Sequence, residues 1–276
     1  MPEPPGAQPS AKTTYVLARG TSGAERLHLL SRMKWPTTQA FLLRAGLRPG
    51  MRCLDVGCGI GEVTLGIAEM AGPEGEAVGV DCAETFLWEA DAEARRRGLR
   101  ATFRRSDVYA LSEERAYDFV YARYLLTHLK DPVKGLAAMV RAARPGGIVA
   151  AEDIDFPGHV CYPPCAAYNR YVDLFQAAVR HKGGDPCIGR RLPVLFLDAG
   201  LADVQVDIAQ PVFLSGEGKS IGSITLEQVR EPLIAAGLAT GGEIDATVAE
   251  LAAFESDPRT LASVARTFQV WGRKPQ

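Results

Sequence analysis

The stretch LDVGCGIGE, residues 54–62, joins an apolar strand pattern over Met51–Val56 to a helical pattern. Its glycines at positions 57, 59 and 61 let the backbone turn tightly and approach a ligand without side-chain clashes. The helix that begins at about Gly61 would direct unpaired backbone N–H groups and the positive end of its dipole toward that ligand. In an open α/β sheet, such turns lie at the carboxyl ends of the strands, where ligands bind. We therefore expect a ligand site at this turn.

Short apolar strands and amphipathic helices alternate on both sides of this turn, which predicts an α/β fold with a mostly parallel sheet and helices on both faces. Seven strands are predicted: Met51–Val56, Ala77–Val80, Ala101–Arg105, Tyr117–Tyr121, Ile148–Glu152, Val204–Ala209 and Thr267–Gly272.

The remaining segments divide the chain around this core. Four prolines in residues 1–12 predict a disordered leader, and residues 13–276 form one domain. Within 13–48 we expect two helices, broken at Trp35-Pro36, with Thr37 as the cap of the second helix. The other segments are the core at 49–155 and two insertions, at 156–190 and 212–262, which we expect to form a lid over the active end.

Composition excludes several classes of protein. The 31 basic and 33 acidic residues give a net charge of −2, so the chain has no global basic field for nucleic acid or an anionic membrane. No apolar run approaches the roughly 18 residues that a membrane span needs. The six cysteines lack CxxC spacing, which argues against a zinc site or disulfide scaffold and favours a reducing cytoplasm.

Acidic residues lie at or just after the ends of the first three strands. A dinucleotide fingerprint GxGxxG starting at Gly57 would need glycine at position 62, which is Glu62. Asp55 would be a poor neighbour for a pyrophosphate but suits a ligand that carries an ammonium group. Asp81, at the end of the second strand, is placed to accept from ribose hydroxyls. With Ser106-Asp107 after the third strand, the pattern indicates a nucleoside that bears an amine.

The motif at 54–61 resembles the first motif of class I S-adenosylmethionine-dependent methyltransferases. The resemblance continues through 78–81, 106–107, 117–123, 128–132 and 144–149, and is greatest to the small-molecule, ubiquinone-biosynthesis-like branch. It implies a Rossmann-like, seven-stranded, mostly parallel sheet. It also implies S-adenosylmethionine as cofactor and a small-molecule methyl acceptor with an O, N or C nucleophile, in specialised, natural-product metabolism.

The resemblance also implies roles for individual residues. Asp55 and the glycines line the methionine part of the cofactor, Asp81 takes the ribose hydroxyls, and Asp107 accepts from the adenine amino group. The full cofactor set is Asp55, Gly57, Cys58, Gly59, Asp81, Cys82, Ser106, Asp107, Val108 and Arg123.

Methyl transfer is an in-line displacement that needs positioning more than a catalytic dyad. His128 is the first candidate for a base or acceptor-positioning residue, and His159 is the second. Tyr15, Trp35 and Tyr124 are candidate aromatic neighbours of the sulfonium, because a ring face attracts a cation.

Several alternatives stay open. A protein that binds S-adenosylmethionine but uses the pocket for cyclisation or regulation would carry the same motifs. A nicotinamide-dependent oxidoreductase is disfavoured by Glu62 and by the lack of a suitable Tyr-xxx-Lys pair. We assign no metal ligands, although Glu152, Asp153 and Asp155 could hold a divalent cation, cap local turns or bind a substrate amine. The chain could act alone or as a homodimer.

Overall fold

The computed structural model describes residues 21–276, with side chains described from Arg26 onward. The strands are β1 Arg52–Val56, β2 Glu76–Asp81, β3 Ala101–Arg105, β4 Tyr117–Arg123, β5 Ala143–Asp155, β6 Cys161–Tyr162, β7 Ala202–Ala209, β8 Val212–Phe213, β9 Leu261–Ser263 and β10 Arg266–Arg273. The helices are α1 Thr21–Ala45, α2 Glu62–Ala71, α3 Leu87–Arg96, α4 Pro132–Ala142, α5 Ala166–His181, α6 Ile188–Asp198, α7 Ile221–Gln228, α8 Arg230–Ala235 and α9 Gly241–Ser256.

One seven-stranded sheet organises the molecule, in the order β3-β2-β1-β4-β5-β10-β7. All neighbouring strands are parallel except β10, which runs antiparallel to both β5 and β7. The predicted seven-stranded, mostly parallel sheet is therefore confirmed. Strand order reverses between β1 and β4, and this reversal opens a crevice beyond their carboxyl ends.

Alternating side chains along β1 pack on opposite faces of the sheet. Leu54 and Val56 join the apolar cluster beneath α4 and α6, whereas Cys53 joins the cluster beneath α1 and α2. Successive strand residues point to opposite faces, so β1, which has apolar residues on both faces, requires cover on both sides. The helices on both faces provide that cover.

The expected break at Trp35-Pro36 is wrong, because α1 runs unbroken from Thr21 to Ala45 with Pro36 inside it. A proline inside a helix removes one backbone hydrogen bond. Pro36 is exposed, so water can satisfy the carbonyl group that loses its partner. The Thr37 hydroxyl does not cap a new helix but donates to the Lys34 carbonyl of the preceding turn, 2.8 Å away. Tertiary packing of α1 on the sheet outweighs the local signal.

The segments 156–190 and 212–262, which we call the lid, pack against each other. Strands β6, β9 and β8 form a small antiparallel sheet that joins the two segments. Side chains of α5, α7, α8 and α9 share one apolar cluster, which includes Tyr171, Phe175, Leu226 and Leu251. Within residues 21–276, no helix is long and apolar enough to cross a membrane.

Candidate functional site

A cavity of about 710 Å³ lies at the crevice beyond β1 and β4, between the β1–α2 turn, helix α1 and the lid. The structure gathers most of the residues that the sequence nominated along its wall: Asp55, Gly57, Cys58, Gly59, Asp81, Cys82, Ser106, Asp107, Val108, Arg123, Tyr124, His128 and His159. Parallel strands bring these residues together because their carboxyl ends share one edge of the sheet.

Two nominated aromatic residues are not part of this group. Tyr15 and the leader at 1–12 lie outside the described residues. Trp35 is not among the residues that line the cavity, so the structure does not bring it together with the other candidate residues. Its ring packs against Gly66 of α2 so closely that a Cβ atom at Gly66 would overlap it. The Trp35 ring therefore holds α1 on α2.

The glycine-rich turn is fastened to the end of β2 by Asp81. One carboxylate oxygen accepts from the Gly59 N–H at 2.9 Å and the other accepts from the Ala83 N–H at 2.8 Å. Gly59 has a φ of +54°, and an added Cβ there would meet no atom within 4 Å. Gly61, with a φ of +81°, packs where a Cβ would overlap Phe103. The turn therefore leaves open space beside Gly59 for a ligand.

Asp55 is a buried carboxyl group in the cavity wall, 2% exposed. Burial raises its pKa from 3.8 to about 6, while the hydrogen bond from Thr64 and the charge of Arg123 act in the opposite direction. The Thr64 hydroxyl donates to Asp55 at 2.7 Å. Asp55 is therefore largely ionised at pH 7, in surroundings that would strengthen its attraction for a cationic ligand.

Asp107 follows β3 and begins a short helical turn by accepting from the Tyr109 N–H at 2.9 Å. Val108, the next residue, is buried in the apolar cluster beneath α4 and also lines the cavity. A carboxylate beside an apolar side chain suits a flat heterocycle with an amino group at its edge.

Both histidines line the cavity wall, but burial lowers the pKa of each to about 4. They are therefore neutral at pH 7. The His159 Nδ1 lies 2.6 Å from the Phe156 carbonyl oxygen, which requires the proton on Nδ1. A neutral imidazole with such a low pKa is a poor base near neutrality. This electrostatic setting favours a packing or positioning role over the base role first considered.

The three carboxylates at the end of β5 are engaged by protein groups. Glu152 accepts hydrogen bonds from side chains of α1, β4 and β10. Asp153 accepts from two backbone amides, and Asp155 forms ion pairs with Arg190 and Arg266. Over residues 21–276, no group of three or more His, Cys, Asp or Glu could hold a metal ion. These contacts show that the cluster stabilises the junction of β5 with its neighbours.

The sequence analysis missed Lys34, a cavity-lining residue of α1 that is only 2% exposed. Its Nζ donates to the Thr267 hydroxyl at 3.0 Å and to the Ala265 carbonyl at 3.2 Å. Burial lowers its pKa from 10.5 to about 7, against the raising effect of Glu152. A single lysine in a helical pattern carries no signal for this environment, which depends on packing against residues more than 200 positions away.

The fold and the site define an α/β protein with a cavity at the carboxyl ends of its parallel strands, where the strand order reverses. Residues 47–183, about half of the chain, match the methyltransferase domain family. A 156-residue region is 31% identical to an uncharacterized methyltransferase of Schizosaccharomyces pombe, covering 54% of this chain and 55% of that protein. Over 125 residues the identity to a ubiquinone biosynthesis O-methyltransferase of Methylococcus capsulatus is 32%, covering 45% and 50% of the two chains.

Solved structures show the same fold at low sequence identity. A Haemonchus contortus phosphoethanolamine N-methyltransferase, in complex with phosphomonomethylethanolamine and S-adenosylhomocysteine, has a TM-score of 0.54 at 20% identity, covering 88% of this chain and 53% of that chain. The [4+2]-cyclase SpnF has a TM-score of 0.52 at 22% identity, covering 87% and 80%.

The chain belongs to class I of the S-adenosylmethionine-dependent methyltransferases. Within that class it lies in the branch that resembles the quinone-biosynthesis enzymes. The matched region spans about half the length of the first two curated relatives.

Proposed function

We propose that the protein transfers a methyl group from S-adenosylmethionine to a small molecule. The observation that carries this proposal is the joint position of the glycine turn, Asp55, Asp81 and Asp107 around one cavity. The open space beside Gly59 fits the close approach of a ligand to the backbone. The cofactor, when bound, supplies a methyl group on a positively charged sulfur, which is activated for displacement.

Each cofactor contact follows from the chemistry of the residues. Asp81 would hold the ribose hydroxyls while its two bonds to Gly59 and Ala83 keep the turn in shape. Asp55 would attract the ammonium group of the methionine part, and Asp107 would accept from the adenine amino group. The ring of Tyr124, which also lines the cavity, can stabilise a nearby cation.

The acceptor side favours a small, largely apolar molecule. Lid residues Phe156, Tyr171 and Ile221 and the neighbouring Val264 close this side of the cavity. Water excluded by such a wall cannot compete with the acceptor for the methyl group. The net charge of −2 is a poor match for a nucleic-acid acceptor. A role in natural-product metabolism is consistent with a lid that selects its acceptor by shape.

Cofactor binding is tested by calorimetric titration of the protein with S-adenosylmethionine. Asp81→Ala removes a charged acceptor, so we expect affinity to fall about 10- to 150-fold, the equivalent of about 1.5–3 kcal/mol. The matched control is Asp207→Ala, an exposed carboxylate on edge strand β7 that pairs with Arg44. Equal affinity in the Asp81→Ala protein and the wild type would remove Asp81 from the site, and no binding by the wild type would refute the proposed function.

A cyclase that binds the same cofactor without transferring methyl is the second candidate, favoured by the fold shared with SpnF. At 22% identity, this similarity shows a shared fold but not a shared activity. The two functions are separated by following S-adenosylhomocysteine during incubation with a metabolite extract. Methyl transfer produces it in step with a methylated product, whereas a cyclase leaves the cofactor intact.

A further inference from the structure

We propose that the acceptor carries a carboxylate group, and that Arg26 binds this group and thereby orients the acceptor in the cavity. This inference rests on the proposed methyl transfer and goes beyond it by naming a charged feature of the acceptor and the residue that selects it. It is carried by the position of the Arg26 side chain among residues of the lid and by the distribution of charge along the cavity wall.

Arg26 is a buried cation in the wall of the cavity. The residue is only 9% exposed, and it lines the cavity. Four more residues of α1 line the cavity at helical spacing: Leu27, Leu30, Ser31 and Lys34. A guanidinium among apolar side chains can both orient and select a ligand, because cavities obtain their specificity from a few well-placed polar groups.

The lid fixes the position of Arg26. Its Nε donates to the Thr225 hydroxyl of α7 at 3.2 Å, although the two residues are 199 positions apart. Tyr171 of α5 interacts with the same threonine and with the charge of Arg26. His128, between β4 and α4, is close enough that the Arg26 charge adds to the effect of burial in lowering its pKa to about 4. All four side chains line the cavity, so Arg26 lies where the lid meets the segment between β4 and α4.

Charges of opposite sign come from different elements of the cavity wall. The acids that line the cavity lie at or near the carboxyl ends of β1, β2 and β3 and at the start of α2: Asp55, Glu62, Asp81 and Asp107. Among the described residues, the lining contributed by α1 and the lid contains Arg26 and Lys34 but no aspartate or glutamate. An anionic group of the acceptor would therefore be attracted to this part of the wall, where no carboxylate lining repels it.

The carboxylate of the cofactor has a different candidate partner in the wall. The methionine part carries an ammonium group, which Asp55 would attract, and a carboxylate. Arg123, at the end of β4, also lines the cavity, and its charge opposes the effect of burial on the pKa of Asp55, so the two lie close together. Its guanidinium donates to the hydroxyls of Thr38 and Ser31, at 3.3 Å each. Asp55 and Arg123 would thus serve the two charges of the cofactor, which assigns Arg26 to the acceptor.

The chemistry of the site favours a carboxylate over a phosphate. The planar fork of N–H donors on a guanidinium matches the two oxygens of a carboxylate. A phosphate monoester carries a charge of about −1.5 to −2 at pH 7, so moving it out of water next to Leu27, Leu30 and Ile221 would cost more than moving a single charge. The rings of Phe156 and Tyr171, which meet edge-on at 5.6 Å, would pack on an apolar body attached to the carboxylate.

Binding to a guanidinium also decides what the carboxylate does. Its negative charge is stabilised by the cation, so the bound carboxylate is a weak nucleophile. It therefore serves to orient the acceptor, and the methyl group goes to an O, N or C atom elsewhere in the molecule.

The test uses the full chain saturated with S-adenosylhomocysteine and measures the binding of matched probes by calorimetry. Each pair is a carboxylate and its uncharged amide: benzoate with benzamide, cinnamate with cinnamamide, and hexanoate with hexanamide. At about pH 7.5 these acids are ionised. We expect at least one carboxylate to bind the wild type about 10- to 150-fold more tightly than its amide, the range for a hydrogen bond to a charged group. Phenyl phosphate should bind more weakly than benzoate, and tighter binding would refute the carboxylate assignment.

Variants of α1 separate this role from a structural one. Arg26→Gln should lose the preference for the carboxylate while the affinity for the amide changes little. Arg26→Lys keeps the charge but not the planar fork, so it should keep part of the preference. The matched control is Arg32→Gln, because Arg32 is an exposed residue of the same helix that pairs with Glu217, and this variant should keep the full preference. A purely structural role for Arg26 would instead lower the affinity for acid and amide alike.

Cofactor affinity distinguishes this inference from the proposed function. The affinity for S-adenosylhomocysteine should be the same in the wild type, Arg26→Gln and Arg32→Gln. A clear loss in Arg26→Gln would assign Arg26 to the carboxylate of the cofactor and overturn the inference, as would a carboxylate preference that survives in this variant. If the wild type binds the cofactor but binds no carboxylate more tightly than its amide, the inference fails while the proposed function stands.

Discussion

Two ionisable side chains in the cavity wall, Asp55 and Lys34, have pKa values moved toward neutrality by the same cause. Each is 2% exposed, and burial disfavours the charged form of both. The result is an acid that titrates near 6 and a base that titrates near 7. Perturbed groups of this kind concentrate at functional sites, because catalysis and the binding of charged ligands make use of such shifts. The shifted pKa of each residue leads to a prediction that solution measurements can check.

Asp55 makes cofactor binding sensitive to acid. Its carboxyl group must be ionised to attract an ammonium group, so affinity for S-adenosylmethionine should fall by about tenfold per pH unit once the pH drops below about 6. Calorimetry between about pH 5 and 7 measures this slope. Asp55→Asn should bind weakly and show no slope in that range, whereas the Asp207→Asn control should keep it. A wild-type affinity that is constant over this range contradicts the role of Asp55.

The buried Lys34 makes the free energy of unfolding depend on pH at neutral and alkaline pH, whereas Asp55 acts at acidic pH. Its pKa is about 7 in the folded state and 10.5 in the unfolded chain, so the unfolded state binds more protons between these values. The free energy of unfolding should therefore rise with pH from about 7 to 10.5. Lys34→Met lacks this contribution and should be more stable than the wild type below pH 7, with the difference shrinking at higher pH. Thermal unfolding of both proteins checks this, and parallel curves would contradict it.

At the scale of elements, alternating patterns were sufficient to place the seven strands of the main sheet. Predicted and observed β3 have the same bounds, Ala101–Arg105, while β5 extends beyond the predicted Ile148–Glu152 at both ends. Pairing accounts for the two ends separately: β10 pairs with β5 as far as Asp155, and Tyr117 of β4 pairs with Ala143. The break predicted in helix α1 was wrong because tertiary contacts outweigh the local sequence signal. Its local signal at Pro36 is real, but contacts with α2 and the sheet override it.

Trp35 provides the test at this scale. Because its ring packs on Gly66 between α1 and α2, Trp35→Ala should lower the free energy of unfolding by about 3 kcal/mol, the low end for removing a core tryptophan. Affinity for S-adenosylmethionine should be little changed, since Trp35 does not line the cavity. Trp88→Ala is the matched control, because that ring is 67% exposed and should cost little stability. A large loss of affinity in Trp35→Ala, without unfolding, would restore its place beside the sulfonium.

At the scale of the whole molecule, the sequence predicts one side of the cavity far better than the other. The cofactor side is built from consecutive strand ends, so topology alone brings Asp55, Asp81 and Asp107 together. The acceptor side joins α1 to the lid and to β10, and Lys34 meets Thr267 across 233 positions of chain. No local pattern encodes that meeting, because it depends on how three distant segments pack. The side chains on this side of the cavity could therefore be identified only from the structure.

The central claim is that the glycine turn and its carboxylates bind an S-adenosyl nucleoside. A crystal structure of the protein with S-adenosylhomocysteine tests it most directly. The account predicts the ribose hydroxyls on Asp81, the adenine beside Asp107 and Val108, and the sulfur directed toward Lys34 and the lid. Density for the nucleoside elsewhere, or an empty crevice in crystals grown at saturating ligand, would contradict it.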